Sequence, residues 1–278
     1  MDLNWSQNLV YGMISGLTEI LPVSAQAHRL VLRKIFGNHY IPDLTLLLIH
    51  IGILAAVFFC CQNQLLRMQR AKALSRIPKN RRKRPLDMVS LMDYHLLMTM
   101  LIPVVLAFIL GFGLRKYEDN MVLVSIFLIL NGLILYVPQY LPGSNRDART
   151  LTRMEGISIG LLAAFSALPG VSTIGAAVSA GQALGEDRKY SFRMALLLEC
   201  FVLVILTVED FLAVAGTGLQ GISFGLIMQS VLGGIGAFGT ATLGIRIMRR
   251  LAENNGFASF GLYCWNVAVI SLLLTLMV

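Results

Sequence analysis

Six stretches of this chain are apolar on every side and long enough to cross a lipid bilayer, and this narrows the possible folds more than any other feature. They are Leu44–Cys61, Leu96–Leu114, Met121–Leu141, Met194–Ala215, Ile222–Ile245 and Phe257–Val278. About 20 mostly apolar residues in a helix match the thickness of the hydrocarbon core. Inside lipid a chain must satisfy its own backbone hydrogen bonds, which leaves only helices and closed barrels. A barrel strand alternates apolar and polar residues with period two, and these runs do not. The chain therefore reads as an all-α polytopic membrane protein. Composition agrees: 56% of residues are hydrophobic and 14% charged, whereas a soluble domain carries about 25% charged residues.

The charge that remains is unevenly placed. The formal net charge is +8, and Arg67, Arg70, Lys72, Arg76, Lys79, Arg81, Arg82, Lys83 and Arg84 fall in one connecting segment with no acid before Asp87. The positive-inside rule predicts that this loop, about 62–87, is cytoplasmic in a multi-pass protein of the plasma membrane. The same residues can touch anionic headgroups. Basic runs beside membrane spans are ordinary, so no nucleic-acid partner is expected. Cys60, Cys61, Cys200 and Cys264 lie in or beside apolar runs, without metal-ligand or disulfide spacing. The N-terminal stretch lacks a basic region followed by a cleavage site, so no removable signal peptide is expected.

Two further regions are apolar but interrupted. Leu9–Phe36 is broken by Gly12, Gly16, Pro22, Ser24 and His28; Gly156–Gly185 is broken by Gly160, Pro169, Gly170, Ser172, Gly175 and Gly181. Proline removes a helix hydrogen bond and its ring clashes with the preceding turn, so each region is expected to form two short helices meeting near its proline. The regions also match: Leu21-Pro22-Val23-Ser24 in one, Leu168-Pro169-Gly170-Val171-Ser172 in the other, each followed by long apolar runs. Paired interrupted segments in two halves of a chain point to an inverted repeat with the ligand site where the broken helices meet. The expected organisation is one membrane domain, 1–278, with a first repeat of about 1–141, a second of about 150–278, and two re-entrant helix pairs.

Helices that start inside the membrane offer free N–H groups and a positive dipole end, which favour an anion and above all a phosphate. Ser24, Ser172 and Thr173 can add hydroxyl donors. Ionisable residues at membrane depth are costly and usually line a cavity or pair with one another. Glu19 stands in the otherwise uncharged run Ile14–Val23 and is a functional candidate. His28 lies four residues beyond Ser24, on the same helix face, and can give or take a proton. His50 is expected to be structural or pocket-lining, and Arg29, Arg33 and Lys34 to snorkel to an interface. Arg193 and Glu199 are about 240° apart around a helix, so each needs a partner elsewhere.

These residues carry a resemblance. Gly16-Leu17-Thr18-Glu19-Ile20-Leu21-Pro22-Val23-Ser24, followed by His28, resembles the first signature of the undecaprenyl-pyrophosphate phosphatases, also called bacitracin-resistance proteins. Ala167-Leu168-Pro169-Gly170-Val171-Ser172 with Gly175 resembles the start of the second, and Tyr190-Ser191-Phe192 the stretch after it. Ile49-His50-Ile51-Gly52-Ile53-Leu54-Ala55 resembles a span between them. The resemblance implies removal of one phosphate from a polyprenyl diphosphate carrier of cell-wall synthesis. It implies Glu19, Ser24 and His28 as catalytic positions, and Ser24, Gly170, Ser172, Thr173 and Gly175 as the phosphate-binding stretch. It also implies a divalent cation, Mg²⁺ or Ca²⁺, with Glu19 as its ligand.

The chain departs from that pattern at three kinds of position. Ser15 stands where the family has an acid or amide, Ala25 where it has a second serine, and Thr173 where it has an arginine, with Ile174 and Ala177 replacing the distal hydroxyls. A lost arginine clamp costs orders of magnitude in phosphoryl transfer, and a lost acid weakens metal binding. Arg193 and Glu199 stand where the family has apolar residues and are candidates to restore the charge. Two functions are thus weighed: hydrolysis of the polyprenyl diphosphate, and binding or flipping of the polyprenyl phosphate without hydrolysis.

Overall fold

The computed structural model of the chain describes residues 4–37, 41–111, 117–141, 145–217, 222–254 and 257–276. Among them there are ten α-helices and no strand. In order these are α1 (Trp5–Ile20), α2 (Ala25–Ile35), α3 (Asp43–Ser75), α4 (Met88–Gly111), α5 (Met121–Tyr136), α6 (Arg153–Ala164), α7 (Thr173–Ala183), α8 (Arg188–Thr217), α9 (Phe224–Asn254) and α10 (Ala258–Leu276). Five of them are long and apolar enough to cross a membrane: α3, α4, α5 with the 3₁₀ turn after it, α9 and α10. The expected span ends Leu114 and Val278 lie outside the described residues.

Each broken region forms two short helices joined by a proline turn. α1 starts at a capping box in which Asn4 accepts from the Gln7 amide and the Gln7 side chain accepts from the Asn4 amide, and it stops where Pro22 cannot continue it. α6 starts at the equivalent box made by Thr152 and Glu155 and ends in a 3₁₀ turn, Phe165–Ala167, ahead of Pro169. Both halves of the chain therefore run in the same order: a broken pair, then three long helices.

The basic segment differs from the expected loop. α3 continues through Ser75 as one helix of 33 residues, roughly 50 Å at 1.5 Å per residue. Only about the last dozen residues of 62–87 are irregular, around a 3₁₀ turn at Lys79–Arg81. The sequence 62–75 is rich in Gln, Leu, Arg, Lys and Ala, all good helix formers, so the helix runs on past the apolar part.

The halves interlock. α1 packs chiefly on α9, from the other half, and α6 chiefly on α4; α3 lies against both α8 and α9, and α5 against α10. Glycines allow the close crossings. A Cβ at Gly12 would strike the Gly233 carbonyl, one at Gly52 the Gly234 carbonyl, and one at Gly160 the backbone of Met100. Apolar solvents give helices no hydrophobic reason to associate, so close backbone approach at small residues supplies the packing. The outer surface carries Phe59, Ile109, Leu110, Phe224 and Leu276, all strongly exposed, as a lipid-facing surface requires.

Candidate functional site

The two proline turns place a serine at the start of each following helix. Ser24 caps α2, its hydroxyl accepting from the Ala27 amide at 3.4 Å. Ser172 caps α7, accepting from the Gly175 amide at 3.2 Å. Each hydroxyl keeps its own hydrogen to donate. The turns are tight: Ser24 has φ 63° and Gly170 has φ 107°, in the left-handed region that costs a side chain. At Gly170 a Cβ would also meet the Val124 carbonyl of α5.

A single side chain joins the turns. Asn131 of α5, fully buried, donates from Nδ2 to the Pro22 carbonyl at 3.1 Å and accepts from the Ser172 amide through Oδ1 at 3.0 Å. The Pro22 ring lies against Gly175, where a Cβ would come within 3.2 Å of it. The broken pairs therefore meet, as the matched motifs predicted, and the two serine-capped helices open into one cavity of about 390 Å³.

Glu19, Ser24, Ala25, Arg29, Ser172 and Thr173 all line this cavity. Arg29 does not snorkel to an interface. Its side chain is 16% exposed and its Nη1 donates to Glu19 Oε2 at 3.2 Å, because α2 turns this face inward against α1. Arg33 also lines the cavity and pairs with Asp119 at 2.6 Å. Six carboxylates (Glu19, Asp43, Glu118, Asp119, Glu209 and Asp210) and two guanidiniums share the lining, so the cavity is acidic on balance.

The two candidates for restored charge part company. Glu199 is 1% exposed and stands close to Glu19 and to the Thr173 hydroxyl. Arg193 does not reach the cavity. It pairs with Asp93 at 3.3 Å and stacks on Tyr190, whose hydroxyl donates to the same carboxylate; six helical residues from Glu199, it faces another side of α8. The guanidinium that enters the cavity is Arg29.

His28 also lies off the cavity lining. Its Nδ1 donates to the Ser24 carbonyl and its Nε2 meets the Tyr263 hydroxyl, both at 2.8 Å, with the two rings stacked. Both nitrogens are thus engaged in holding the Ser24 turn against α10. Among the described residues, His50 is the histidine in the cavity wall. It is buried, and its Nδ1 bonds Asp210 Oδ2 of α8 at 2.5 Å.

Sequence reasoning missed Asp210 and Asn131. Glu209-Asp210 interrupts the apolar run Met194–Ala215, and an acid at that depth is a signal in its own right. Asn131, a lone amide in Met121–Leu141, is a weaker one.

A divalent cation needs oxygen donors with unspent capacity. Among the described residues no group of three or more His, Cys, Asp or Glu is disposed to hold a metal. Glu199, however, is a buried acid beside Glu19. Two carboxylates completed by substrate phosphate oxygens is an ordinary arrangement for Mg²⁺, so the residues fit such an ion when phosphate is present.

The chain is similar to known proteins over most of its length. A family model described as bacitracin resistance protein BacA matches residues 8–270. The chain is 27% identical over 277 residues to an undecaprenyl-diphosphatase of Desulfatibacillum aliphaticivorans, covering 95% of this chain and 96% of that protein. It is 34% identical over 200 residues, 70% of each chain, to one from a Nocardioides species. It is 26% identical over 273 residues, 95% of each, to one from Methanobrevibacter smithii.

Proposed function

Because the chain belongs to the bacitracin-resistance protein BacA family, we propose that it acts on the diphosphate of an undecaprenyl lipid carrier, releasing the terminal phosphate and leaving the lipid monophosphate. One observation carries the reading: the serine-capped starts of α2 and α7 share a cavity with the guanidinium of Arg29. Helix starts and hydroxyl donors suit phosphate oxygens, and a guanidinium can grip two of them at once. Arg29 comes from α2 and supplies the positive charge that Thr173 lacks.

Bound diphosphate competes with Glu19 for Arg29. The surplus of carboxylates would repel it unless a cation enters as well. Glu19, with Glu199 beside it, would hold a divalent cation such as Mg²⁺ or Ca²⁺, and such an ion would supply that neutralising charge. The protein's own part is to fix the terminal phosphorus with Ser24, Ser172 and Arg29, while apolar walls such as Leu46, Phe108 and Leu206 exclude bulk water. The polyprenyl tail stays in the bilayer against the apolar exterior.

The test is release of inorganic phosphate from undecaprenyl diphosphate by the purified protein in detergent micelles, with and without Mg²⁺ or Ca²⁺. Arg29→Met is expected to lower kcat/KM by at least about 100-fold, the usual loss when one charge-stabilising donor is removed, and Glu19→Gln to abolish cation-stimulated turnover. A wild-type protein that binds the lipid yet releases no phosphate refutes hydrolysis and leaves binding or flipping of the carrier.

A further inference from the structure

The cavity contains a second chemical group that the phosphate-binding residues leave unused. His50 of α3 and Asp210 of α8 are 160 residues apart and 3% and 2% exposed, and they are joined by the Nδ1–Oδ2 bond at 2.5 Å. The other ring nitrogen, Nε2, is buried without a hydrogen-bond partner. A buried polar atom left unpaired costs about 1–3 kcal/mol, and native structures rarely tolerate one without a use for it. His50 lines the same cavity as Ser24, Ser172 and Arg29.

The carboxylate fixes the ring. Asp210 accepts from Nδ1–H, which holds the neutral ring in the tautomer whose Nε2 carries a lone pair. This is the arrangement by which a carboxylate orients a catalytic histidine and steadies the imidazolium that forms when it takes a proton. His28, the histidine of the sequence motif, has both nitrogens occupied by Ser24 and Tyr263.

We propose that His50 is the proton-accepting catalytic residue of this site and that Asp210 positions it. The proposal rests on the hydrolytic reading above and adds to it the group that activates water. In the step, the oxygen of a water molecule bonds to the terminal phosphorus while the bond from that phosphorus to the bridging oxygen breaks. The electron pair of the broken bond leaves on the lipid monophosphate. The water's proton passes to His50 Nε2, the imidazolium is held by Asp210, and the proton then departs with the released inorganic phosphate. No oxidant or further reactant is needed.

The experiment uses the full-length protein in micelles, with phosphate release from undecaprenyl diphosphate and binding of undecaprenyl monophosphate measured on each variant. His50→Gln keeps a donor for Asp210 but cannot accept the proton. A positioned general base contributes about 10²–10⁴-fold, so kcat should fall by that factor while monophosphate binding stays unchanged. Asp210→Asn should lower kcat with KM unaltered. His50→Ala opens space for a free base, and added imidazole should restore part of its turnover, which a merely structural histidine would not permit. An active wild type with His50→Gln turning over within threefold of it overturns the dyad alone. So does loss of lipid binding in step with turnover in the His50 variants. An inert wild type overturns the hydrolytic reading, and the dyad's catalytic role with it.

Discussion

Asn131 is the most economical place to test whether the two turns depend on each other. Replacing it with Leu keeps the branched outline of the side chain and removes its hydrogen bonds to the Pro22 carbonyl, the Ser172 amide and the Cys264 sulfur, leaving the two backbone groups without it in a buried site. Each orphaned group costs about 1–3 kcal/mol, giving an upper bound of about 6 kcal/mol. Interhelical hydrogen bonds within membranes average about 0.6 kcal/mol, which sets a lower bound near 1 kcal/mol for the pair. The Pro22 carbonyl keeps one weak donor, the Cys264 thiol at 3.8 Å, whereas the Ser172 amide has no such fallback. The expected loss is therefore about 2–3 kcal/mol, in the lower half of that range. Asn131→Asp separates the bonds, keeping an acceptor for Ser172 and placing an oxygen opposite the Pro22 carbonyl. The measurement is unfolding by SDS in mixed micelles, followed by the fluorescence of Trp5 and Trp265. Asn131→Leu unfolding within 0.5 kcal/mol of wild type, about the spread of a neutral surface change, would refute the idea that this residue ties the turns together.

Two other outcomes follow from packing and charge. Gly12→Val drives a branched side chain into the Gly233 backbone and should cost about 3 kcal/mol, the upper end of ordinary overpacking, whereas Gly239→Ala, inside α9 with nothing within 4 Å of its added carbon, should cost nothing in the same unfolding assay and gain up to about 1 kcal/mol from helix propensity. In the connection leading to α6, hydrogen bonds from the Arg146 guanidinium and then the Thr152 amide hold the Glu155 carboxyl at about 2, below its ordinary 4.5. A lowered carboxylate contributes stability that is present above its unfolded value and lost as pH falls through the folded one. The gap in melting temperature between wild type and Glu155→Gln should thus hold steady from pH 7 to 5 and close between pH 4.5 and 2; a gap that widens on acidification would contradict this.

The sequence carried the broken pairs clearly because proline acts locally. Pro22 and Pro169 stop a helix wherever they fall, and the serines beyond them are good caps in any context. It carried five of the six expected spans, those in α3, α4, α5, α9 and α10, because length and apolarity are also local; Met194–Ala215, within α8, is not among the described helices that qualify. What it could not carry were partnerships between distant elements. His50 looks solitary until α8 brings Asp210 to it, and Asn131 looks like a tolerated amide until two turns from opposite halves close on it. Arg29 was misplaced because spacing alone does not say which side of a short helix faces a cavity and which faces the headgroups. Arg193 and Glu199 show the same limit: two ionisable residues in one apolar helix, one buried beside Glu19 and Thr173 and one bound to Asp93 and Tyr190.

The exchange of partners between halves has a consequence for how the chain is made. Gly12 of α1 meets Gly233 of α9, about 220 residues later in synthesis, which at about 5–20 residues per second means a wait of about 10–40 s. For that interval the small-residue face of α1 has only lipid, or the insertion machinery, beside it. The first half cannot mature by itself, because the groove that receives its leading helix is not yet written. Seating of α1 is thereby deferred until the ribosome is nearly done.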